Sequence, residues 1–124
     1  MALFNQATFH DAVNRDGEFQ LAGRFLNGAL KLYFGDDSML LNFRDGKLAA
    51  MTAGAKFDSA DVTIKGSIAN WQEFLKPIPR PFFHDMFAAI VRDKFEWAGN
   101  SETFFAYYGA FRRLFQLMRD CATR

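Results

Sequence analysis

From Leu30 to Thr52 the apolar residues recur at every second position. Leu30, Leu32 and Phe34 alternate with Lys31 and Tyr33, and Met39, Leu41 and Phe43 alternate with Leu40, Asn42 and Arg44. Period two puts one set of side chains on one face of a strand, so this stretch can fold into little except a sheet buried on one side. Gly35-Asp36-Asp37 turns the chain once. Asp45-Gly46 turns it again, because Asp and Gly tolerate the positive φ of a type I′ hairpin. Lys47 to Thr52 is the third strand of an antiparallel meander. Ala53 to Ala60 reads as a crossing loop, and Val62 and Ile64, alternating with Asp61, Thr63 and Lys65, give a fourth strand.

Helical periodicity flanks this sheet. Thr8 before Phe9, Ala12 and Val13, with Asp11 in the first turn, predicts a capped helix over about residues 4–15, ended by Asp16-Gly17. Residues 18–27 fit a helical stripe or a strand. The helix is preferred, although Gly23 weakens it. Ser67 predicts a helix carrying Ile68, Trp71, Phe74 and Leu75, stopped by Pro77. Pro81 suits a helix start, and the helix expected from it carries Phe82, Phe83, Met86, Phe87, Ile90 and Val91. Lys94 to Ala98 is a short fifth strand with Phe95 and Trp97 on one side. Gly99-Asn100-Ser101 breaks it and caps a last helix, where Phe104, Tyr108, Phe111, Phe115 and Met118 form a stripe. Segregated strands and helices argue for one mainly antiparallel sheet with helices over one face. No linker or repeat divides the 124 residues, so a single domain spanning 1–124 is expected.

Composition closes several functions. Fifteen basic and 14 acidic side chains leave a net charge of +1, without the excess that phosphate neutralisation requires, so nucleic acid is not an expected partner. Arg112, Arg113 and Arg119 fall where a helix C-terminus favours cations. The one cysteine, Cys121, excludes an internal disulfide framework and sits near a chain end, where a reactive pocket is rarely built. No apolar run approaches the length of a membrane span. Residues 1–14 lack the basic start and apolar run of a signal peptide, so a cytoplasmic location is expected. His10 and His84 have no partner at metal-ligand spacing. His84-Asp85 is a poor base-orienter pair, because neighbours on a helix point about 100° apart. No nucleophile elbow, phosphate loop or dinucleotide fingerprint is present. No catalytic residue, metal or cofactor is expected.

What the chain does carry is aromatic surface. It has 16 Phe, 2 Trp and 3 Tyr, and 13 of these 21 rings lie between Trp71 and Met118. Packing on the sheet accounts for much of this. The stretch after Pro81, with three adjacent apolar pairs, is wider than one sheet contact needs. Phe105 and Tyr107 likewise widen the last helix. Such excess faces meet another subunit, a membrane surface or an apolar ligand.

In their order and spacing, Leu30 to Asp45-Gly46-Lys47, then Asp58-Ser59-Ala60-Asp61-Val62-Thr63-Ile64-Lys65-Gly66-Ser67, then Trp71 and Leu75, then Phe95 to Gly99, resemble the sterol carrier protein 2-like lipid-binding domain. The resemblance covers about residues 18–118. It implies an α/β fold of the α+β kind: a five-stranded, mainly antiparallel sheet with helices packed over one face. It further implies an apolar tunnel between sheet and helices that holds a lipid without catalysis. Its walls would be Trp71, Phe74 and Leu75 on one helix and Phe104, Tyr108, Phe111 and Phe115 on the last. Phe82, Phe83, Met86, Phe87 and Ile90 match no family motif and join that wall from the helical pattern alone. Tyr107, Tyr108, Gln72 and His84 are candidates to meet a polar headgroup. The expected activity is binding or transfer of a sterol, fatty acyl or isoprenoid-type lipid, with transient contact to a membrane surface. The alternative is a protein-interaction module in which the Phe-rich face pairs two copies of the chain or meets another protein.

Overall fold

The computed structural model describes residues 3–54 and 59–123. Five strands, β1 (Gly28–Phe34), β2 (Asp37–Arg44), β3 (Lys47–Ala53), β4 (Val62–Gly66) and β5 (Glu96–Gly99), form one sheet in the order β3-β2-β1-β4-β5. All pairs are antiparallel except β1 with β4, which run parallel with Leu30 opposite Val62 and Leu32 opposite Ile64. The expected sheet is therefore present. The crossover into β4 includes residues 55–58, so that part of the expected crossing loop lies outside the described residues.

Alternation does what period two requires. Leu30, Leu32, Met39, Leu41, Phe43, Leu48, Val62 and Ile64 are buried in the core that the helices share. The opposite face carries Tyr33, Asn42, Thr63 and Lys65. The β2–β3 register shifts between Asn42 and Phe43, so Leu41 faces Met51 while Phe43 faces Leu48. This bulge keeps Leu48 inward beside a tight turn.

Six helices surround this face: α1 (Gln6–Arg15), α2 (Gly17–Ala22), α3 (Ile68–Phe74), α4 (Met86–Val91), α5 (Ser101–Ala106) and α6 (Tyr108–Asp120). Several expectations need correction. The cap of α1 is Asn5, whose Oδ1 accepts the Thr8 N–H at 2.9 Å, so Thr8 lies inside the helix. The helix expected over 18–27 stops at Ala22, where Gly23 closes against Phe19 and Ala110. The helix expected from Pro81 begins only at Met86, because Phe82 has φ 72° and Asp85 is the actual N-cap. A left-handed residue ends any helical run before it starts. The last helix is two, broken at Tyr107. The fifth strand begins at Glu96 rather than Lys94, because Asp93, at φ 58°, is still completing the turn that ends α4. Ser67 caps α3 as expected, its Oγ accepting the Asn70 N–H at 3.1 Å.

The Asp45-Gly46 turn has φ 51° and 80°, the positive pair that a type I′ hairpin requires. A Cβ on Gly46 would stand 2.7 Å from the Gly23 carbonyl oxygen and 2.8 Å from Arg24 Cα, both rigid backbone. Gly46→Val is therefore expected to destabilise the fold by about 2 kcal/mol or more. A lower urea midpoint at unchanged m-value checks this; an unchanged midpoint refutes it.

Candidate functional site

The aromatic residues sort into two groups. In the first, Trp71 is fully buried, with its ring 4.7 Å from Phe34, 4.9 Å from Phe95, 5.8 Å from Phe74 and 6.1 Å from Phe115. Its Nε1–H donates to the Tyr33 carbonyl at 2.7 Å, as buried indoles usually do. In the second, Phe104 lies 5.4 Å from Trp97, 5.4 Å from Tyr108 and 6.2 Å from Phe111. Edge-on and tilted contacts dominate both groups, the arrangement ring quadrupoles favour. Much of the space between sheet and helices, where the resemblance implies a tunnel, is thus taken by the chain's own rings.

A cleft of about 290 Å³ opens beside the first group, between α3, α4 and α6. Phe74, Met86 and Phe115 give it an apolar floor, while Glu18, His84, Asp85 and Arg112, Arg113 and Arg119 line its polar part. Of the twelve residues expected to form a lipid wall, Phe74, Met86 and Phe115 meet at this one opening. Trp71, Leu75, Phe83, Phe104 and Phe111 are buried, and Ile90 and Tyr108 are half-buried. Phe82 and Phe87 are 39% and 42% exposed and lie on the outside. Among the headgroup candidates, His84 reaches the cleft and Gln72 is exposed on α3. Tyr107 donates its hydroxyl to the Phe25 carbonyl at 3.1 Å instead.

Three polar anchors hold the cleft's shape. Tyr108 Oη sits 2.7 Å from both carboxylate oxygens of Asp85 and accepts the Phe87 N–H at 2.9 Å. Asp85 also accepts the Ala88 N–H as the cap of α4 and pairs with Arg112 at 3.4 Å. One carboxylate thus ties the start of α4 to the start of α6. Burial pushes the Tyr108 phenol pKa up, and its hydrogen bond to Asp85 adds to this, so the hydroxyl stays a donor.

Arg119 is buried; its Nε and Nη2 donate to the Phe74 carbonyl at 2.9 and 2.7 Å. It places a cation at the C-terminus of α3, where the helix dipole favours one. Buried Glu73 accepts from Lys76 Nζ at 2.9 Å, from Arg80 Nε at 3.1 Å and from the Arg80 N–H at 3.0 Å, shaping the proline turn. The Lys76 hydrogen bond leads in holding its carboxyl pKa below the usual value. Sequence reasoning misses both roles. For Arg119 a signal exists: it stands four positions after Phe115, on the buried stripe of α6. For Glu73 the local signal is Lys76, three positions on, whereas only the fold of the turn brings Arg80 back to it. A smaller recess of about 160 Å³, bounded by Phe4, Phe34, Met39 and Ile68, is likewise invisible to sequence patterning.

A crystal structure of sterol carrier protein 2 superposes with a TM-score of 0.79 at 22% identity, covering 98% of this chain and 100% of that one. The chain has the sterol carrier protein 2 fold. A solution structure of a conserved hypothetical protein, possibly sterol carrier protein, from Thermus thermophilus gives a TM-score of 0.73 at 21% identity, covering 100% and 92%. A UbiJ-SCP2 ubiquinone synthesis protein gives 0.60 at 16%, covering 93% and 88%. No family model and no curated protein matches the sequence. Similarity at this level is similarity of fold. Among the described residues no three His, Cys, Asp or Glu side chains gather into a metal-holding group, and no helix is long and apolar enough to cross a membrane.

The third anchor sets a pH dependence. Arg113 grips Asp16 through both Nε and Nη2, at 2.9 and 2.8 Å, and Asp16 also caps α2 by accepting the Phe19 N–H at 2.8 Å. The Arg113 hydrogen bond leads in holding the Asp16 carboxyl pKa below its ordinary value. A depressed carboxylate contributes stability above its unfolded pKa of about 3.9, and that contribution is lost as pH falls through the folded value. Asp16→Asn, which can still cap, is expected to cost about 1–2 kcal/mol at neutral pH. The gap to wild type should close in acid; urea titrations at neutral and acid pH check it, and a pH-independent gap would count against the pairing.

Proposed function

We propose that the chain binds an apolar lipid and carries or presents it, without catalysis, in the cytosol. The observation that carries this reading is the cleft between α3, α4 and α6. Its floor is Phe74, Met86 and Phe115, and its polar side holds arginines and His84. The lining is polar for the larger part, so a ligand's polar end suits the cleft itself and its apolar body lies towards the buried floor. At about 290 Å³ the cleft is at the small end of the range for bound organic ligands. A full-length acyl or sterol body therefore enters by displacing rings such as Phe115 or by swinging α4 outward. The fold shared with sterol carrier protein 2 supports the same class of ligand. Desolvation supplies the affinity, about 0.8 kcal/mol for each buried CH₂, less the cost of ordering.

A fluorescent fatty acid or sterol probe is expected to bind at micromolar concentration or below and to raise the melting temperature by mass action. Met86→Asp places a carboxylate in the apolar floor and is expected to weaken binding about tenfold or more. Circular dichroism of the variant controls for folding. If fatty acids, sterols and isoprenoids all leave the wild-type melting temperature and probe fluorescence unchanged, the lipid reading is wrong.

A further inference from the structure

The fold treats its two tryptophans differently. Trp71 gives its Nε1–H to the Tyr33 carbonyl. Trp97, on β5, stands opposite Ile64 of β4 and so faces the core side of the sheet, where it is half-buried. Its Nε1 is buried. Among the described residues it is the one buried side-chain nitrogen or oxygen with no hydrogen-bond partner. A buried N–H left unpaired costs free energy comparable to a lost hydrogen bond, and such groups are rare enough that each needs a reason. A phenylalanine, which the chain uses 16 times against two tryptophans, would fill the place without that cost.

The ring group around Trp97 does not supply an acceptor. Trp97 packs on Phe104 at 5.4 Å, and Phe104 packs on Phe105 at 5.3 Å, Tyr108 at 5.4 Å and Phe111 at 6.2 Å. Tyr108 gives its hydroxyl to Asp85 and accepts the Phe87 N–H. Tyr107, beside it, gives its own hydroxyl to the Phe25 carbonyl. A lone water is a poor answer among rings, because a buried water needs two to four polar partners. An oxygen that arrives with an apolar body attached needs only the one donor.

We infer that Trp97 Nε1–H is the hydrogen-bond donor for a neutral alcohol or carbonyl oxygen of an apolar ligand seated in this ring group, between β5, α5 and the start of α6. The oxygen is neutral because a carboxylate or phosphate held by one donor among rings is a buried charge without compensation. The group is within reach of solvent. Phe105 is 60% exposed, and Phe87, 5.9 Å from it, is 42% exposed. Helix α5, which holds Phe104 against Trp97, has only six residues. The inference rests on the lipid reading for the apolar body of the ligand, and adds a polar contact apart from the cleft, which neither Trp97 nor Phe104 lines.

The test is nuclear magnetic resonance of the isotope-labelled full chain, whose two tryptophans give two indole N–H resonances. Trp97→Phe identifies the Trp97 resonance by its loss. Adding decanol or methyl decanoate is expected to move that resonance downfield and slow its exchange with water, while the Trp71 resonance, already bonded, holds its place. A response to either ligand supports the inference, and which one responds names the oxygen as alcohol or carbonyl. By calorimetry, Trp97→Phe is expected to weaken decanol binding about tenfold. It should weaken decanethiol, of nearly the same shape but a weak acceptor, much less; loss of packing alone would weaken both alike. Should Trp97→Phe fold poorly, the wild-type spectra decide. The inference is overturned, with the lipid reading intact, if a fluorescent fatty acid probe binds but neither neutral ligand does, or if decanol binds while the Trp97 resonance stays still. Equal weakening of alcohol and thiol overturns it too, as does a bound water on the Trp97 N–H that the ligand leaves in place. A chain that binds no probe and no neutral ligand loses the lipid reading and this inference together.

Discussion

The packing of Trp71 is the constraint on which the rest depends. It is the point where β1, the residue leading into β5, α3 and α6 meet, through Phe34, Phe95, Phe74 and Phe115. Burying an indole removes on the order of 200 Å² from water, worth about 5 kcal/mol as an upper figure. Its Nε1–H must then find an acceptor, and the Tyr33 carbonyl supplies one at the end of β1. That bond fixes the orientation of α3 on the sheet. The position of the Phe74 carbonyl follows, and with it the acceptor for Arg119.

From this hub the cleft is almost a by-product. Arg119 draws α6 to the end of α3, and Asp85 draws the start of α4 to the start of α6 through Tyr108 and Arg112. Two helices held by their ends on a third leave a gap along their sides, floored by Phe74, Met86 and Phe115. Because α4 is only six residues long and capped by the same carboxylate that ties it down, it depends on that contact more than on its own helical stability. The same residues thus set both the seating of α4 and the outline of the cleft.

Most of the sheet is legible in the sequence. Alternation from Leu30 to Phe43, the Asp45-Gly46 turn and the Ser67 cap are local signals, and each matches its place in the fold. The order and spacing of those signals carry the resemblance to sterol carrier protein 2, and the superposition bears out the fold. The stretch from Pro77 to Asp85 is where sequence patterning fails. Its Phe82-Phe83 pair fits a helical template, but a left-handed Phe82 and a staple on Glu73 make it a turn. Apolar spacing cannot distinguish a helix face from a loop that buries Phe83 and exposes Phe82, because both present rings at similar intervals. Naming the lipid wall meets the same difficulty: periodicity says which side of a helix is apolar, not whether a ring fills a gap or borders one.

The sequence by itself determined the elements that rest on contacts within a few residues: strand period, hairpin turns, the Ser67 cap, and the balance of charge that argues against a phosphate-binding role. Tertiary structure alone decided the parallel pairing of β1 with β4, the break at Tyr107, the inward turn of Asp85 and Arg119, and the volume left between α3, α4 and α6. The physical reason is one of range. Backbone preferences and hydrophobic alternation act between neighbours and are written in order along the chain. A cavity is the difference between large packed volumes contributed by Phe74, Met86 and Phe115, which stand far apart in sequence, and it exists only once all three are in place.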